Sequence, residues 1–169
     1  MTDVESRSAH FVHDFAGIDL PLVDVVRAIE IVATPHLVGE FVAVAWNDEI
    51  RVLEAVQDRH HPHAGGPLVD VAFGPQRSRR DAVILPITWR TRTEPWVPPL
   101  DADIEFASFG PRRTHVHVYG CSELPPGSVT GTEESSLAQR LTVAIVRHVL
   151  VLLIERIIAN AMPTEPSHH

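Results

Sequence analysis

The chain has 169 residues, of which 44% are hydrophobic, and its 14 basic residues are all Arg. Against 22 Asp and Glu this gives a net charge of −8 with the 11 His neutral, so the surface repels phosphate and nucleic-acid binding as a main function is disfavoured. The lack of Lys excludes Schiff-base chemistry, and the single Cys121 excludes an internal disulfide.

The length predicts one domain with one hydrophobic core. We expect a flexible N-terminus at 1–9, a single domain at 10–162 and a flexible tail at 163–169. The first thirty residues lack the apolar run of a secretory signal, and the longest apolar runs are far shorter than the roughly 20 residues that span a bilayer. The sequence therefore predicts a cytoplasmic protein without a transmembrane segment.

The N-terminal third predicts one strand and two helices. Residues 10–15 are expected to form a short strand, and Asp19 is expected to cap a helix that has Pro21 in its first turn and ends before Pro35. The apolar residues of this helix recur at spacings of three and four, which is typical of one buried face: Leu22, Val25, Val26, Ile29 and Val32. Residues 37–58 carry a mixed pattern that we interpret as mostly helix.

The middle of the chain predicts an antiparallel sheet. Its Pro and Gly content marks 60–67 as a loop, and beyond it apolar side chains alternate with a period of two. Strands are predicted at 69–73 and 82–89, and a hairpin is predicted from 102–109 and 114–120.

The register of this hairpin follows from its side chains. A three-residue turn at 110–112 joins apolar to apolar residues on one face and acid to imidazole on the other, whereas a register one residue shorter mixes the faces. The resulting pairs are Phe106 with Val116, Ile104 with Val118, and Glu105 with His117.

The C-terminal part predicts one long helix over 136–162, preceded by acidic residues that suit the positive end of a helix dipole. Its polar side chains fall in a narrow stripe formed by Arg140, Arg147, His148 and Glu155. The opposite side is formed by Thr142, Val146, Val149 and Leu153. A broad apolar face of this kind indicates a largely buried helix.

Four segments carry a resemblance to a known group: 85–89 (LPITW), 98–104 (PPLDADI), 114–120 (THVHVYG) and 125–127 (PPG). With the order of strand, two helices, antiparallel strands and one long helix, they resemble uncharacterised actinobacterial members of the START-like (SRPBCC) superfamily. That group includes polyketide cyclases, lipid-transfer proteins and pollen allergens, and the resemblance covers roughly residues 68–160. It implies an α+β helix-grip fold, in which a curved antiparallel sheet wraps around the C-terminal helix, and a cavity that in relatives holds lipids, polyketides or other hydrophobic molecules.

The residues themselves are compatible with such a cavity. The predicted strands and the last helix present apolar side chains toward each other, and these could line a pocket or fill a core. The candidate ligand-binding residues are Val83, Leu85, Ile87, Trp89, Ile104, Phe106, Val116, Val118, Val146, Val149 and Leu153.

Polar chemistry is sparse. The His60–His63 loop and the pair His115 and His117 could each offer two imidazoles to a metal, but neither has the spacing of a structural zinc site, and no metal or cofactor is predicted. Alternation directs His115, His117 and Tyr119 away from the apolar face and Ser108 and Thr114 toward it. At the boundaries, His148 borders a polar stripe, and Arg90 and Arg92 at a strand end could bind a carboxylate.

Three functions follow as hypotheses. The first is binding of a hydrophobic small molecule, lipid or polyketide-like, between sheet and C-terminal helix. The second is an enzyme of the cyclase or dehydrase kind, which requires polar groups converging on the cavity. The third is a ligand-free protein-interaction module that presents an apolar patch at 60–67 or 96–100.

Overall fold

The structure is a computed structural model that describes residues 9–57, 67–92, 97–123 and 133–161. Several predicted segments lie outside the described residues. They are residues 1–8 of the expected flexible N-terminus, most of the 60–67 loop, the 125–127 turn and the tail at 163–169. The helices and strands are β1 (Ala9–Ile18), α1 (Leu22–Val32), α2 (Pro35–Gln57), β2 (Val69–Phe73), β3 (Arg77–Arg79), β4 (Ala82–Thr91), β5 (Leu100–Ser108), β6 (Thr114–Glu123) and α3 (Glu133–Ala161).

The strands form one antiparallel sheet in the order β1-β6-β5-β4-β2, with β3 paired to β4. Helix α3 packs against one face of this sheet, which we call the inner face, and α1 and α2 pack against α3. The predicted fold class, α+β with an antiparallel sheet around a long C-terminal helix, is confirmed by this arrangement.

The β5–β6 hairpin has the predicted register. Phe106 lies opposite Val116, and Ile104 lies opposite Val118. The Phe109 N–H donates to the Arg113 carbonyl (2.8 Å), which leaves three residues in the turn, and Gly110 adopts a φ of 90° that suits a residue without a side chain.

The inner face carries the hydrophobic core. Its central strand residues Phe106 and Val116 have no exposed surface, and Gly120 lies on the same face between Val12 and Ala102. The predicted buried side of α3 is confirmed, because Thr142, Val146, Val149 and Leu153 are all buried. The single hydroxyl in this set is satisfied, since Thr142 Oγ1 donates to the carbonyl of Ala138 (2.8 Å).

One charged contact joins the inner face to α3. Asp14 points inward from β1, and its carboxylate accepts hydrogen bonds from Arg147 Nε (3.1 Å) and from the N–H of Phe15 (3.0 Å). The Asp14 side chain is only 11% exposed, whereas that of Arg147 is 68% exposed. The exposed guanidinium of Arg147 therefore pairs with a shielded carboxylate, and this contact fixes the position of α3 along β1.

One expectation about local structure was wrong, and one short strand was missed. Asp19 does not cap α1, because Pro21 occupies the cap position and its carbonyl accepts the N–H groups of Asp24 and Val25 (both 3.1 Å). The carboxylate of Asp19 instead lies 3.7 Å from Arg113. Strand β3 was not predicted, because all of its residues are exposed and no apolar alternation marks it.

In the described ranges no single helix has the length and apolar composition to cross a bilayer. Helix α1 and the larger part of α2 reach that length and composition only when taken together, and they are separated by an 89° bend.

The close approach of β5 and β6 at Gly120 gives a stability test. A Cβ at this position would lie 2.2 Å from the Asp101 carbonyl oxygen and 2.5 Å from Ala102, so Gly120→Ala has to push two paired strands apart. We expect a loss of about 3 kcal/mol or more in the free energy of unfolding, measured by urea denaturation.

Gly17→Ala is the matched control in the same sheet. Its Cβ would meet only the flexible end of Arg113, at 3.0 Å, so we expect a change below about 1 kcal/mol. Equal effects of the two substitutions would contradict this account of Gly120.

Candidate functional site

A small cavity lies between the sheet and the helices. Its volume is about 20 Å³. Its lining comes from α2, β4, β5, β6 and α3 and consists of Val38, Ile87, Trp89, Leu100, Ile104, Val118, Val146, Val149, Leu150 and Leu153. The space is thus the part of the inner core that the side chains of five elements leave unfilled.

The sheet register fixes the walls of the cavity. Trp89 lies opposite Leu100, and Ile104 lies opposite Val118, so each pair spans two neighbouring strands. The indole of Trp89 is 3% exposed and donates from Nε1 to the carbonyl of Pro98 (3.1 Å). This hydrogen bond satisfies the buried N–H and holds the ring against the cavity.

The chemistry of the lining is uniformly apolar. All ten residues are Val, Ile, Leu or Trp, and the one polar atom among their side chains, Trp89 Nε1, is already hydrogen-bonded. A volume near 20 Å³ corresponds to roughly one water-sized probe, but an apolar space without polar partners stays dry. The site can therefore bind by burial of apolar surface, and within the described part of the chain its lining offers no group for proton transfer or metal coordination.

The structure brings seven of the candidate residues to the cavity: Ile87, Trp89, Ile104, Val118, Val146, Val149 and Leu153. The other four are buried away from it in the tightly packed part of the sheet: Val83, Leu85, Phe106 and Val116. Position along the strands explains the difference, because the cavity lies near the C-terminal half of β4 and the N-terminal half of β5.

Sequence reasoning missed three lining residues. Leu100 continues the alternation of Ala102 and Ile104, and Leu150 is four residues from Val146, so both were within reach of the same periodicity arguments. Val38 lies on α2, whose mixed pattern did not define a buried face.

The described polar residues that the sequence singled out are not part of the cavity lining. Thr114 is fully buried, but its Oγ1 donates to the Leu20 carbonyl (2.9 Å), and Ser108 is exposed. His148 is half-buried between α3 and α2, with Nε2 3.7 Å from Asp48. The sites of His60, His61 and His63 lie outside the described residues.

The proposed carboxylate-binding arginines are placed elsewhere. Arg92 donates from Nε and Nη2 to the two carboxylate oxygens of Asp70 on β2 (2.6 and 2.7 Å), and Arg90 is exposed on the outer face. The hydrogen bond to Arg92 lowers the pKa of Asp70, and the same contact raises the pKa of Arg92. This pair is solvent-exposed and ties β2 to the end of β4.

The outer face of the sheet holds the imidazoles and the phenol. His115, His117 and Tyr119 point away from the core along β6, as alternation predicts. Glu105 lies opposite His117, but its Oε2 accepts a hydrogen bond from the Tyr119 hydroxyl (3.4 Å). Burial, followed by the charges of Asp103 and Glu105, raises the pKa of Tyr119. Among the described residues, no three His, Cys, Asp or Glu side chains are close enough to hold a metal ion.

Comparison with known proteins gives similarity of overall shape at low identity. No protein-family model matches the chain, and no curated protein matches it by sequence. Among solved structures, the chain is similar to a hypothetical protein from Helicobacter pylori (12% identity, 94% of this chain and 92% of that chain, TM-score 0.48). It is also similar to norcoclaurine synthase from Thalictrum flavum (9%, 94% and 91%, 0.48) and to the Zhui aromatase/cyclase from Streptomyces sp. R1128 (13%, 91% and 94%, 0.39).

At these identities and TM-scores the similarities carry no conclusion about function. The fold class rests on the strand order and on the packing of α3 described above. Membership of the START-like superfamily and the actinobacterial likeness remain predictions.

Tyr119 provides a titration test, because it is the only Tyr in the chain. Its absorbance near 295 nm therefore reports one phenol, and we expect a titration midpoint above the ordinary value of about 10. Because the folded pKa is raised, the resulting stabilisation is complete below pH ~10 and is lost as the pH rises through the folded value.

Glu105→Gln removes one of the negative charges beside the phenol and should lower the midpoint. Glu30→Gln, on the exposed side of α1, is the control and should leave it unchanged. A wild-type midpoint at or below 10 would contradict the placement of Tyr119 beside these carboxylates.

Proposed function

We propose that the protein binds a hydrophobic small molecule, lipid or polyketide-like, in the cavity between the sheet and α3, and that it does so as a carrier or sensor without catalysis. The observation that carries the proposal is the lining: ten apolar side chains from five elements meet around an unfilled space. An apolar ligand would gain free energy there by replacing contacts with water, at about 25 cal/mol per Å² of buried apolar area.

The size of the cavity sets how binding proceeds. Sites for drug-sized ligands are about 300–1,000 Å³, so a space of about 20 Å³ has to widen around any cargo larger than a few atoms. Four of the ten described lining residues belong to α3, and its Arg147 side chain, which is 68% exposed, contacts the shielded carboxylate of Asp14. Outward movement of α3 would enlarge the site, and the long Arg147 side chain would have to extend to keep its contact with Asp14.

An enzyme of the cyclase or dehydrase kind is not favoured. Such chemistry needs an acid or base within hydrogen-bond reach of the substrate, and the described residues of the cavity lining include neither. Thr114 and Ser122 are the buried hydroxyls of the sheet, but they donate to the carbonyls of Leu20 (2.9 Å) and Pro99 (2.7 Å).

The predicted interaction patch at 96–100 is not supported by its described part. Val97 and Leu100 are 2% and 3% exposed, and Pro67 at the end of the other predicted segment is buried as well. Pro98 is buried too, and Pro99 is partly buried. Residues 60–66 and Trp96 lie outside the described ranges.

The binding test uses N-phenyl-1-naphthylamine, a neutral probe whose fluorescence rises in apolar surroundings. The wild type should bind the probe, and Val149→Phe, which adds a ring where a lining residue stands, should weaken binding at least about tenfold. Val151→Phe is the matched control, because Val151 is two residues away on the same helix and 47% exposed.

Two readouts keep the test decisive. Far-ultraviolet circular dichroism verifies that Val149→Phe remains folded, and native mass spectrometry of the purified wild type shows whether an organic molecule is retained. Equal probe binding by the two variants, or a wild type that binds no probe and retains no molecule, would overturn the proposal.

A further inference from the structure

The outer face of the sheet carries a second apolar feature, distinct from the cavity. It consists of aromatic and imidazole side chains on β1, β6 and the turn before β6, and we call it the outer aromatic patch: Phe11, His13, Phe15, Phe109, His115 and His117. The three phenyl side chains are exposed by 67%, 69% and 62%. A contiguous apolar patch formed by three large exposed side chains is often a functional surface.

The rings of the patch are ordered by the strands beneath them. His13 stacks near Phe11 and Phe15, with ring centroids 6.5 and 6.4 Å apart, and it lies 6.2 Å from His117 on the neighbouring strand. At the other end, Phe109 stacks on His115 at 4.1 Å. Because the sheet already holds these rings in place, a partner that docks here loses little side-chain entropy on binding.

The outer aromatic patch carries no acidic side chain, and this favours it as a contact surface between two negatively charged copies. The chain carries a net charge of −8, so two copies repel over most of their surfaces. The patch itself is uncharged with His neutral, whereas the next strand, β5, directs Asp101, Asp103 and Glu105 to the same side of the sheet. Two copies that meet patch to patch keep their carboxylates at the rim.

The area is of the right order for a dimer. A phenyl side chain offers about 200 Å², so three that are roughly two-thirds exposed present about 400 Å². A standard interface buries about 800 Å² on each partner. The three phenyls thus supply about half of that area, and the exposed His13 with the half-buried His115 and His117 adds to it.

The pattern of side chains also suits a two-fold arrangement. In a two-fold arrangement about His13, Phe11 of one copy faces Phe15 of the other and the reverse, so apolar rings meet apolar rings on both sides of the axis. The free edge of β1 is less suited to pairing, because Asp14 points inward from this edge strand and its carboxylate occupies the N–H of Phe15. Contact through the sheet face is therefore favoured over extension of the sheet.

We propose that the outer aromatic patch is a homodimer interface, in which two copies of this chain pack face to face about a two-fold axis near His13. The ligand cavity lies on the opposite face of the sheet and remains accessible in such a dimer.

The test is the molar mass in solution, measured by size-exclusion chromatography with light scattering from about 5 to 200 μM. The wild type should show twice the 18.7 kDa mass of one chain at the upper concentrations. Phe11→Ser with Phe15→Ser should weaken dimerisation at least about a hundredfold and give a monomer throughout. The matched control is Val23→Ser with Ile31→Ser, two α1 side chains that are each 61% exposed, and it should remain dimeric.

Phe109→Ser gives a second measurement, because it changes the turn and leaves β1 intact, and it should also shift the dimer toward monomer. A wild type that is monomeric at 200 μM would overturn the proposal, as would a dimer that survives both patch variants. A monomer that binds phosphatidylcholine vesicles through Phe11 and Phe15 would overturn it too and would assign the patch to a lipid surface.

Discussion

Burial of α3 against the inner face of the sheet is the interaction on which the rest of this structure depends. The strands contribute alternate side chains to that contact, and α3 contributes Val146, Val149 and Leu153 from one side of its length. The ion pair of Asp14 with Arg147 sets where α3 lies along β1. The cavity is a consequence of the same contact, since it is the space that Trp89, Leu100 and the middle of α3 do not fill between them. Any change in how α3 sits on the sheet therefore changes the site.

Much of this arrangement could be predicted from periodicity. The β5–β6 register followed from joining apolar to apolar side chains, and β2 occupies the predicted 69–73 range. Such patterns are informative because a slip of one residue would turn every buried side chain to solvent. The buried side of α3 was predictable for a related reason, since its few polar side chains fall in one stripe. The cavity lining was predictable only as a set of apolar faces, because spacing along a strand does not tell which residues meet a void and which meet a neighbour.

The remaining features depend on contacts that a single segment does not encode. β1 illustrates this most clearly, because both of its faces mix apolar and polar residues. One face carries Phe11, His13 and Phe15, and the other carries Val12 and Asp14. In the structure the two phenyls point outward and Asp14 points inward, because Arg147, from the C-terminal helix, donates a hydrogen bond to the Asp14 carboxylate. The prediction that Asp19 caps α1 was wrong because the helix begins two residues later. Pro21 occupies the cap position, and its carbonyl accepts the first N–H groups of the helix. β3 pairs with β4 through its backbone, and Arg77 also contacts the Asp103 carboxylate on β5, but its exposed Arg and Ser residues carry no signal of a strand.

The volume of the cavity has a kinetic consequence. A cargo that must create most of its own space cannot enter at the rate of its encounters with the protein, so uptake is limited by how often the core opens. At high concentration the rate of loading would then level off at the opening rate, whatever the affinity. The same barrier slows escape, and a bound molecule would stay with the protein long after its free concentration has fallen. An apolar core with so little free volume would favour retention of the proposed ligand over rapid exchange.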